Sequence, residues 1–271
     1  MAVQTVSSAA PTPTQAAPIR KITSDDLWEA LRQGREDFRA MRGDIIFVAI
    51  LYPVIGIVAA TAIIGGPLVP LLFPIVAGVG LLGPIAAVGF YELARRHEAG
   101  EEANWGHFLD VRKRPSATEI GYVALLLLGI FALWLLVAGL LYIALFGFLV
   151  PANLADFFST IFTTSEGWTL IVIGNLVGLA FGAAVLATSV VSLPMLVDCD
   201  VSAADAVSIS VQAVRSNPGP MLLWGVIVAA LLVIGSIPMF VGLAVVLPWL
   251  GYATWHLYTR MVDRSALPGK C

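Results

Sequence analysis

The chain has 271 residues, of which 59% are hydrophobic and only 12% are charged, and its mean hydropathy is +0.90. Soluble domains are about half apolar and about a quarter charged, so this composition excludes an ordinary soluble domain and predicts an integral membrane protein. The net charge of −3 gives no indication of a nucleic-acid partner.

The first segment, residues 1–18, is small, polar and rich in proline. It lacks the basic and apolar regions of a signal peptide and is typical of a disordered tail. We therefore expect a disordered cytoplasmic tail over residues 1–20, a membrane domain over 21–262, and a short cytoplasmic tail over 263–271.

Six apolar stretches are long enough to cross a bilayer, which takes about 20 residues in a helix. They are residues 45–64, 67–91, 120–150, 169–197, 220–236 and 239–258. The last two form one uncharged run, which we divide at Gly235–Pro238; a four-span arrangement with this run re-entrant is the alternative. The predicted fold is an all-α, polytopic transmembrane helix bundle of six spans.

The basic residues support this count. All 15 Lys and Arg lie before the first span, between the second and third, between the fourth and fifth, or after the sixth. The only charges in the opposite connections are Asp156 and Glu166. Because basic residues collect on the cytoplasmic side, both termini are predicted to be cytoplasmic and the number of spans to be even.

Three cytoplasmic segments, 23–49, 100–124 and 201–225, each lead into a pair of spans, and each contains an amphipathic stretch. They predict three interfacial helices whose apolar faces are buried at the headgroup boundary, and hence three helix-plus-hairpin repeats. The apolar positions are Leu27, Leu31, Phe38 and Met41 in the first, Trp105, Phe108 and Leu109 in the second, and Val207, Val211 and Val214 in the third. Ordinary solvated loops with local helix are the alternative.

The ends of two of these helices are also predicted. Thr23 with Asp26, and Ser202 with Asp205, fit capping boxes at helix starts. The sequence Asn-Pro-Gly-Pro at 217–220 is expected to end the third helix before the membrane.

Two blocks of sequence carry a family resemblance. They are Leu-Gly-Pro and Gly-Phe-Tyr-Glu-Leu-Ala-Arg-Arg within 82–105, and the stretch from 217–225 to 251–258. Over about residues 20–262 the chain resembles a bacterial family of predicted integral membrane proteins known only as a domain of unknown function. The resemblance implies a cytoplasmic (inner) membrane location and no particular activity.

Few residues have the type and spacing of a catalytic, cofactor or metal site. The three histidines, His97, His107 and His256, do not provide the facing pairs of a haem or copper site. The acidic groups around His97 lack metal-ligand spacing, and we favour a solvated, self-paired surface there. Asp198, Cys199 and Asp200 could offer ligands, although the polar end of the fourth span explains them more simply. We predict no catalytic, cofactor or metal site.

The two cysteines, Cys199 and Cys271, lie far apart in the sequence and form no CxxC motif. We therefore expect no disulfide framework.

Helix packing has a clearer signal. Gly174, Gly178 and Gly182 are spaced to let another helix approach the fourth span, either within the bundle or in a dimer. Asn175 beside them is predicted to hydrogen-bond between helices. Trp28, Trp105 and His256 are candidate interfacial residues.

The leading functional hypothesis is a non-enzymatic accessory or scaffold component that contacts membrane lipid, and also other membrane proteins or a second copy of itself. The alternative is a transporter or channel for a neutral or lipidic solute, which a water-accessible cavity reaching Asn175 would favour. An enzyme acting on lipid headgroups through His97 and His107 is a more distant third hypothesis.

Overall fold

A computed structural model describes residues 19–41, 69–71, 73–75, 83–148, 151, 153–238, 241–267 and 271. Residues 1–18 of the predicted N-terminal tail, the first span at 45–64 and much of the second at 67–91 lie outside these residues.

The described part of the chain is helical, with one isolated antiparallel bridge between Ile19 and Val262. The α-helices are α1 (Ser24–Ala40), α2 (Gly83–Glu98), α3 (Ala117–Phe146), α4 (Leu154–Thr163), α5 (Ser165–Ser189), α6 (Ser192–Asp198), α7 (Ala203–Ser216), α8 (Pro218–Ser236) and α9 (Leu243–Met261). Short 3-10 helices lie at Val69–Leu71, Trp105–His107, Asp110–Lys113 and Arg264–Ala266.

Three of the described helices are long and apolar enough to cross a membrane. They are α3, the run Ser165–Asp198 that joins α5 to α6, and α8, and they coincide with the predicted third, fourth and fifth spans. The predicted count of six is not confirmed within the described ranges. The first span lies outside them, and α9, at the predicted sixth span, is not among the three.

The outward faces of these three helices are apolar. Leu136 on α3, Leu179 on α5 and Leu222 on α8 are each more than half exposed. Leucines at such positions contact lipid tails at no hydrophobic cost, whereas in water they would be unfavourable. The exposed faces therefore fit a bilayer.

The helices alternate in direction. The start of α3 lies beside the end of α6, where the Ser116 hydroxyl donates to the Leu196 carbonyl at 2.5 Å. α8 and α9 form an antiparallel hairpin, closed at one end by the contact between Gly235 and Gly242. The predicted break in the apolar run is therefore present, with α8 ending at Ser236 and α9 beginning at Leu243, but a second crossing by α9 stays a prediction.

α1 packs closely against α9. Trp249 of α9 donates its indole N–H to the carbonyl of Leu31 at 2.8 Å, and Leu31 and Leu27 are buried. At the closest approach, a Cβ on Gly34 would lie 2.5 Å from the backbone nitrogen of Ala253. The apolar face of α1 is thus buried against protein, and not at the headgroup boundary as predicted.

The predicted helix starts are confirmed. The backbone N–H of Thr23 donates to the Asp26 carboxylate at 2.8 Å, and the N–H of Asp205 donates to the Ser202 hydroxyl at 3.1 Å. α7 ends at Ser216 and α8 begins at Pro218, as the Asn-Pro-Gly-Pro sequence indicates.

The other two amphipathic segments differ in detail from the prediction. The segment around Trp105 forms two short 3-10 helices, because the Asn104 side chain accepts from the Gly106 N–H at 2.9 Å and so favours a tight turn over an α-helix. In α7 the predicted valines are only half-buried. Its fully buried positions are the neighbouring stripe of Ala206, Ile209, Ser210 and Ala213.

The contact between α1 and α9 gives a first testable prediction. Gly34→Ala places a methyl group against the Ala253 backbone, so α1 must shift, and we expect a loss of about 1–3 kcal/mol in the free energy of unfolding. Thermal unfolding in detergent measures this loss. The matched control is Gly129→Ala on α3, where a Cβ meets nothing within 4 Å, and where alanine should be neutral or stabilise by up to about 1 kcal/mol. Equal stability of the two variants would contradict the close approach of α1 to α9.

Candidate functional site

The candidate site is a network of charged and polar side chains at the end of the bundle where α2, α6 and α9 finish and α3 begins. Its most constrained member is Glu92 on α2, which is 1% exposed. Three guanidiniums contact its carboxylate: Arg95 at 3.1 Å, Arg96 at 3.1 Å and Arg114 at 3.3 Å. Burying a carboxylate is costly unless it is paired and hydrogen-bonded, and these three arginines provide such partners.

The same arginines extend the network outward. Arg96 contacts Asp110 at 3.1 Å, and Lys113 contacts the same carboxylate at 2.6 Å. The hydrogen bond from Lys113 outweighs partial desolvation and lowers the pKa of Asp110. The predicted self-pairing around His97 is therefore present, although Glu92 at its centre is buried and not solvated.

A second carboxylate, Asp37 on α1, lies against two histidines. Its Oδ2 atom is 2.7 Å from the Nε2 atom of His256 on α9, and its Oδ1 atom is 3.7 Å from the Nε2 atom of His97 on α2. Asp37 is 8% exposed. His256, predicted as an interfacial residue, thus lies in a contact between helices.

A third group joins α2, α6 and α9. The Tyr258 hydroxyl donates to the Asp198 carboxylate at 2.9 Å, and Arg264 lies 3.4 Å from the same carboxylate. Arg264 also pairs closely with Glu98, which accepts the Trp255 indole N–H at 2.8 Å. The guanidinium of Arg264 therefore bridges two carboxylates that are a hundred residues apart in sequence.

The pKa of Glu98 is lowered by these contacts. Burial opposes ionisation of its carboxyl, but the hydrogen bonds from Arg264 and Trp255 and the charge of Arg264 outweigh it. Glu98 is therefore held as a carboxylate in the folded protein.

The cysteines do not behave as predicted. Cys199 and Cys271 form a disulfide, with Cα atoms 4.1 Å apart, so the expectation of no disulfide is wrong. No local motif in the sequence indicated this pairing, because the two cysteines are 72 residues apart. They meet only because the fold brings the end of α6 beside the segment after α9. In the segment after α9, Leu267 is 8% exposed and packs on the core, whereas Ser265 and Ala266 are exposed.

The disulfide also bears on metal binding. The Asp198 carboxylate and the two sulfurs lie within 4.8 Å of one another. Thiolates and a carboxylate are ligands that suit Zn²⁺, but the sulfurs are bonded to each other here and cannot act as thiolates. The arrangement fits the simpler interpretation of this sequence as the polar end of a span.

The N-terminal segment is attached to the same end by Asn217, which is 3% exposed. Its side chain accepts from the Ile22 N–H at 3.0 Å and donates to the Arg20 carbonyl at 3.2 Å. The Arg20 N–H in turn donates to the Met261 carbonyl at 2.9 Å. These hydrogen bonds therefore place the starts of α1 and α8 beside the end of α9, at the same end of the bundle.

An aromatic cluster lies beside the network. Phe90 makes edge contacts with Trp105 and Phe108, at ring-centre distances of 5.8 and 5.0 Å, and Trp105 stacks on Phe108. The buried indole N–H of Trp105 finds no acceptor within the described ranges. Trp28 on α1 is 56% exposed. The interfacial roles of Trp28 and Trp105 stay predictions.

The glycine face of α5 lies partly against α3. A Cβ on Gly178 would contact the Trp134 ring at 3.8 Å, and one on Gly174 would lie 4.0 Å from Leu141. A Cβ on Gly182 would meet nothing within 4 Å. The Asn175 amide donates to the Ile171 carbonyl of its own helix at 2.7 Å, so its role between helices stays a prediction.

Two hollows occur among the described residues, and Asn175 lines neither of them. One, of about 120 Å³, lies among α3 and α4 beside Phe157 and Ile161. The other, of about 210 Å³, lies between Tyr122 on α3 and Val207 on α7. Both are smaller than the sites that usually hold small ligands, which are about 300–1,000 Å³.

Residues 72–198 match a family described as "Predicted integral membrane protein (DUF2189)". The predicted resemblance to such a family is confirmed, over a narrower range than residues 20–262. No curated protein and no solved structure matches the chain.

The Glu92 cluster gives a second prediction. Glu92→Gln removes a buried charge that three arginines need, and we expect a loss of about 3 kcal/mol in the free energy of unfolding, since breaking a buried ion pair leaves partners uncompensated. Glu101→Gln is the matched control, because its exposed pair with Arg95 should contribute no more than about 1 kcal/mol. Thermal unfolding of both variants in detergent compares them. A Glu92→Gln variant as stable as the control would overturn the assigned role of Glu92.

The lowered pKa of Glu98 predicts a dependence on pH. A carboxyl whose pKa is lower in the folded state stabilises that state above its unfolded pKa, about 4.3, and the stabilisation is lost as pH falls through the folded value. The midpoint of thermal unfolding should therefore fall as the pH is lowered into this acid range. Glu98→Gln should lower the midpoint at neutral pH and flatten the acid decline. Glu36→Gln, which removes an exposed pair with Arg32, is the control for loss of a surface ion pair and should change the midpoint at neutral pH little. An unchanged slope in Glu98→Gln would refute the assignment.

Proposed function

We propose that this chain, which carries a match to a family of predicted integral membrane proteins, is a non-enzymatic accessory or scaffold component of the cytoplasmic (inner) membrane of a bacterium. It contacts lipid through the outward faces of α3, α5 and α8, and holds its basic end in the cytoplasm. The observation that carries this proposal is the division of the molecule into apolar exposed helices and a tightly paired ionic end.

The lipid contact is supported by the pattern of exposure. Large apolar side chains are exposed along most of the length of α3, from Leu125 to Ile143, and of α8, from Leu222 to Ile234. Hydrocarbon solvates such surfaces, and the backbone groups of the helices bond within the helices themselves. The three faces together provide a surface for lipid or for another membrane helix.

The orientation is supported by where the basic residues lie. Arg114 precedes α3, Arg215 closes α7, and Arg260 and Arg264 lie at and beyond the end of α9. The contacts of Arg114 and Arg264 with Asp198 bring these segments to one end of the bundle. The positive-inside rule assigns that end to the cytoplasm.

The scaffold role is supported by the ion pairs and hydrogen bonds that the buried titratable side chains make between helices. Glu92 is paired with three arginines, Asp37 with His256, and Asp198 with Tyr258 and Arg264. Each of these groups joins one helix to another, so together they form a connected polar network that makes this end rigid. Their arrangement suits a rigid cytoplasmic surface against which a partner could dock.

Cysteine labelling tests the orientation. In a Cys199→Ser, Cys271→Ser background, Thr118→Cys lies at the start of α3 and Ser165→Cys at the start of α5, and both positions are exposed. A membrane-impermeant maleimide should label Ser165→Cys in intact cells and Thr118→Cys only in inverted vesicles. Labelling of both positions from the same side would refute the proposed crossing.

Native mass spectrometry of the protein in mild detergent tests the scaffold role. We expect bound phospholipid, a reproducible protein partner or a second copy of the chain. A lipid-free monomer with no reproducible partner would contradict the proposal, even if the labelling experiment gave the expected orientation.

A further inference from the structure

We propose that Cys199 and Cys271 form a reversible thiol–disulfide site, which reacts with external thiols at the sulfur of Cys271. This goes beyond the scaffold role. The chemistry is argued from the local surroundings of the two sulfurs, and only its cellular setting rests on the orientation proposed above.

The two cysteines differ in accessibility. Cys199 is 2% exposed, whereas Cys271 is exposed. Thiol–disulfide exchange requires the attacking thiolate to reach a sulfur in line with the bond that breaks. Because Cys271 is the exposed residue of the pair, we expect an external thiolate to reach its sulfur and displace Cys199, whereas the core covers Cys199.

The reaction balances as two exchange steps. In the first, a small thiolate bonds to the sulfur of Cys271, the Cys199–Cys271 bond breaks, and Cys199 leaves as a thiolate that takes a proton from water. In the second, another thiolate attacks the small-molecule sulfur of this mixed disulfide and releases Cys271. The protein disulfide is reduced to two thiols while two small thiols are oxidised to one disulfide, and a small-molecule disulfide reverses both steps.

The fold around the site does not need the bond to stay in place. The segment after α9 is also held by the bridge between Ile19 and Val262, by the buried side chain of Leu267, and by the pairs that Arg264 makes with Asp198 and Glu98. Opening the disulfide therefore leaves Arg264 in its network. These contacts keep the chain up to Leu267 beside α6 after reduction, which favours re-formation of the bond.

Both sulfurs have polar neighbours that suit the reduced state. The Cys199 sulfur lies 3.7 Å from the Tyr258 hydroxyl, and the Cys271 sulfur lies 3.8 Å from the Arg264 carbonyl oxygen. A thiol at either position thus has a hydrogen-bond partner. The buried thiol of Cys199 in particular would not be left unsatisfied against the core.

The position at the basic end adds a reason for reversibility. Disulfides in a reducing cytoplasm are rare, and those that form there are usually transient or redox-sensing. If the basic end is cytoplasmic, as proposed above, the pair meets the cellular thiol pool. The exchange chemistry itself can be tested on purified protein in either case.

The test equilibrates the purified, folded protein in glutathione buffers that range from fully oxidised to fully reduced, traps free thiols with a maleimide, and measures the intact mass. We expect the disulfide to be lost and recovered reversibly without denaturant, and the glutathione adduct trapped on the way to map to Cys271. Thermal unfolding of the reduced protein should remain cooperative.

Two single variants provide the matched comparison. In Cys199→Ser the remaining Cys271 should react readily with a maleimide, whereas in Cys271→Ser the buried Cys199 should react at least about tenfold more slowly. Maleimide labelling after denaturation confirms that both thiols are intact.

Three results would overturn the proposal. They are a disulfide that is reduced only after denaturation, an adduct that maps to Cys199, and a pair that stays reduced in fully oxidised glutathione. None of these readouts depends on membrane orientation or on partners, so each leaves the scaffold proposal standing, and a failed scaffold test leaves this one standing.

Discussion

The pairing of the buried Glu92 carboxylate with three guanidiniums constrains the rest of this end of the molecule. Glu92 and two of the arginines are on α2, while Arg114 lies just before α3 and also reaches the Asp198 carbonyl at 3.5 Å. Burial makes the charge costly unless all of these groups converge. The ion pairs of Glu92 therefore hold the start of α3 beside the end of α6. From this point α3 and the α5–α6 run extend side by side as two antiparallel apolar helices.

The molecule has two kinds of interior as a result. Around the ionic end, α1, α2, α6 and α9 enclose a protein-like core in which Trp255, Tyr258 and Leu193 are fully buried. Beyond it, α3, α5 and α8 touch each other through few buried side chains and expose leucine and valine outward. The first region is held by burial and ion pairs. The second depends on helix hydrogen bonds and on the surrounding hydrocarbon.

Local patterns in the sequence predicted local structure well. Apolar length predicted α3, the α5–α6 run and α8; Thr23 and Ser202 predicted helix starts; and Asn217-Pro218 predicted the break between α7 and α8. The contacts that build the site could not be found in this way. Asp37 with His256, Arg264 with Asp198, and Cys199 with Cys271 are separated by 219, 66 and 72 residues, and no periodicity within one helix reports on such pairs. The amphipathic face of α1 was recognised, but amphipathicity alone does not distinguish a lipid surface from α9.

The contact of α1 with α9 has a consequence for biosynthesis. A ribosome adds about 5–20 residues per second, so roughly 10–40 seconds separate the emergence of α1 from that of α9. Throughout that interval the side chains of Leu27 and Leu31, buried in the finished protein, have no partner from α9. We therefore expect the apolar face of α1 to rest on the membrane surface or on a chaperone until α9 emerges and covers it.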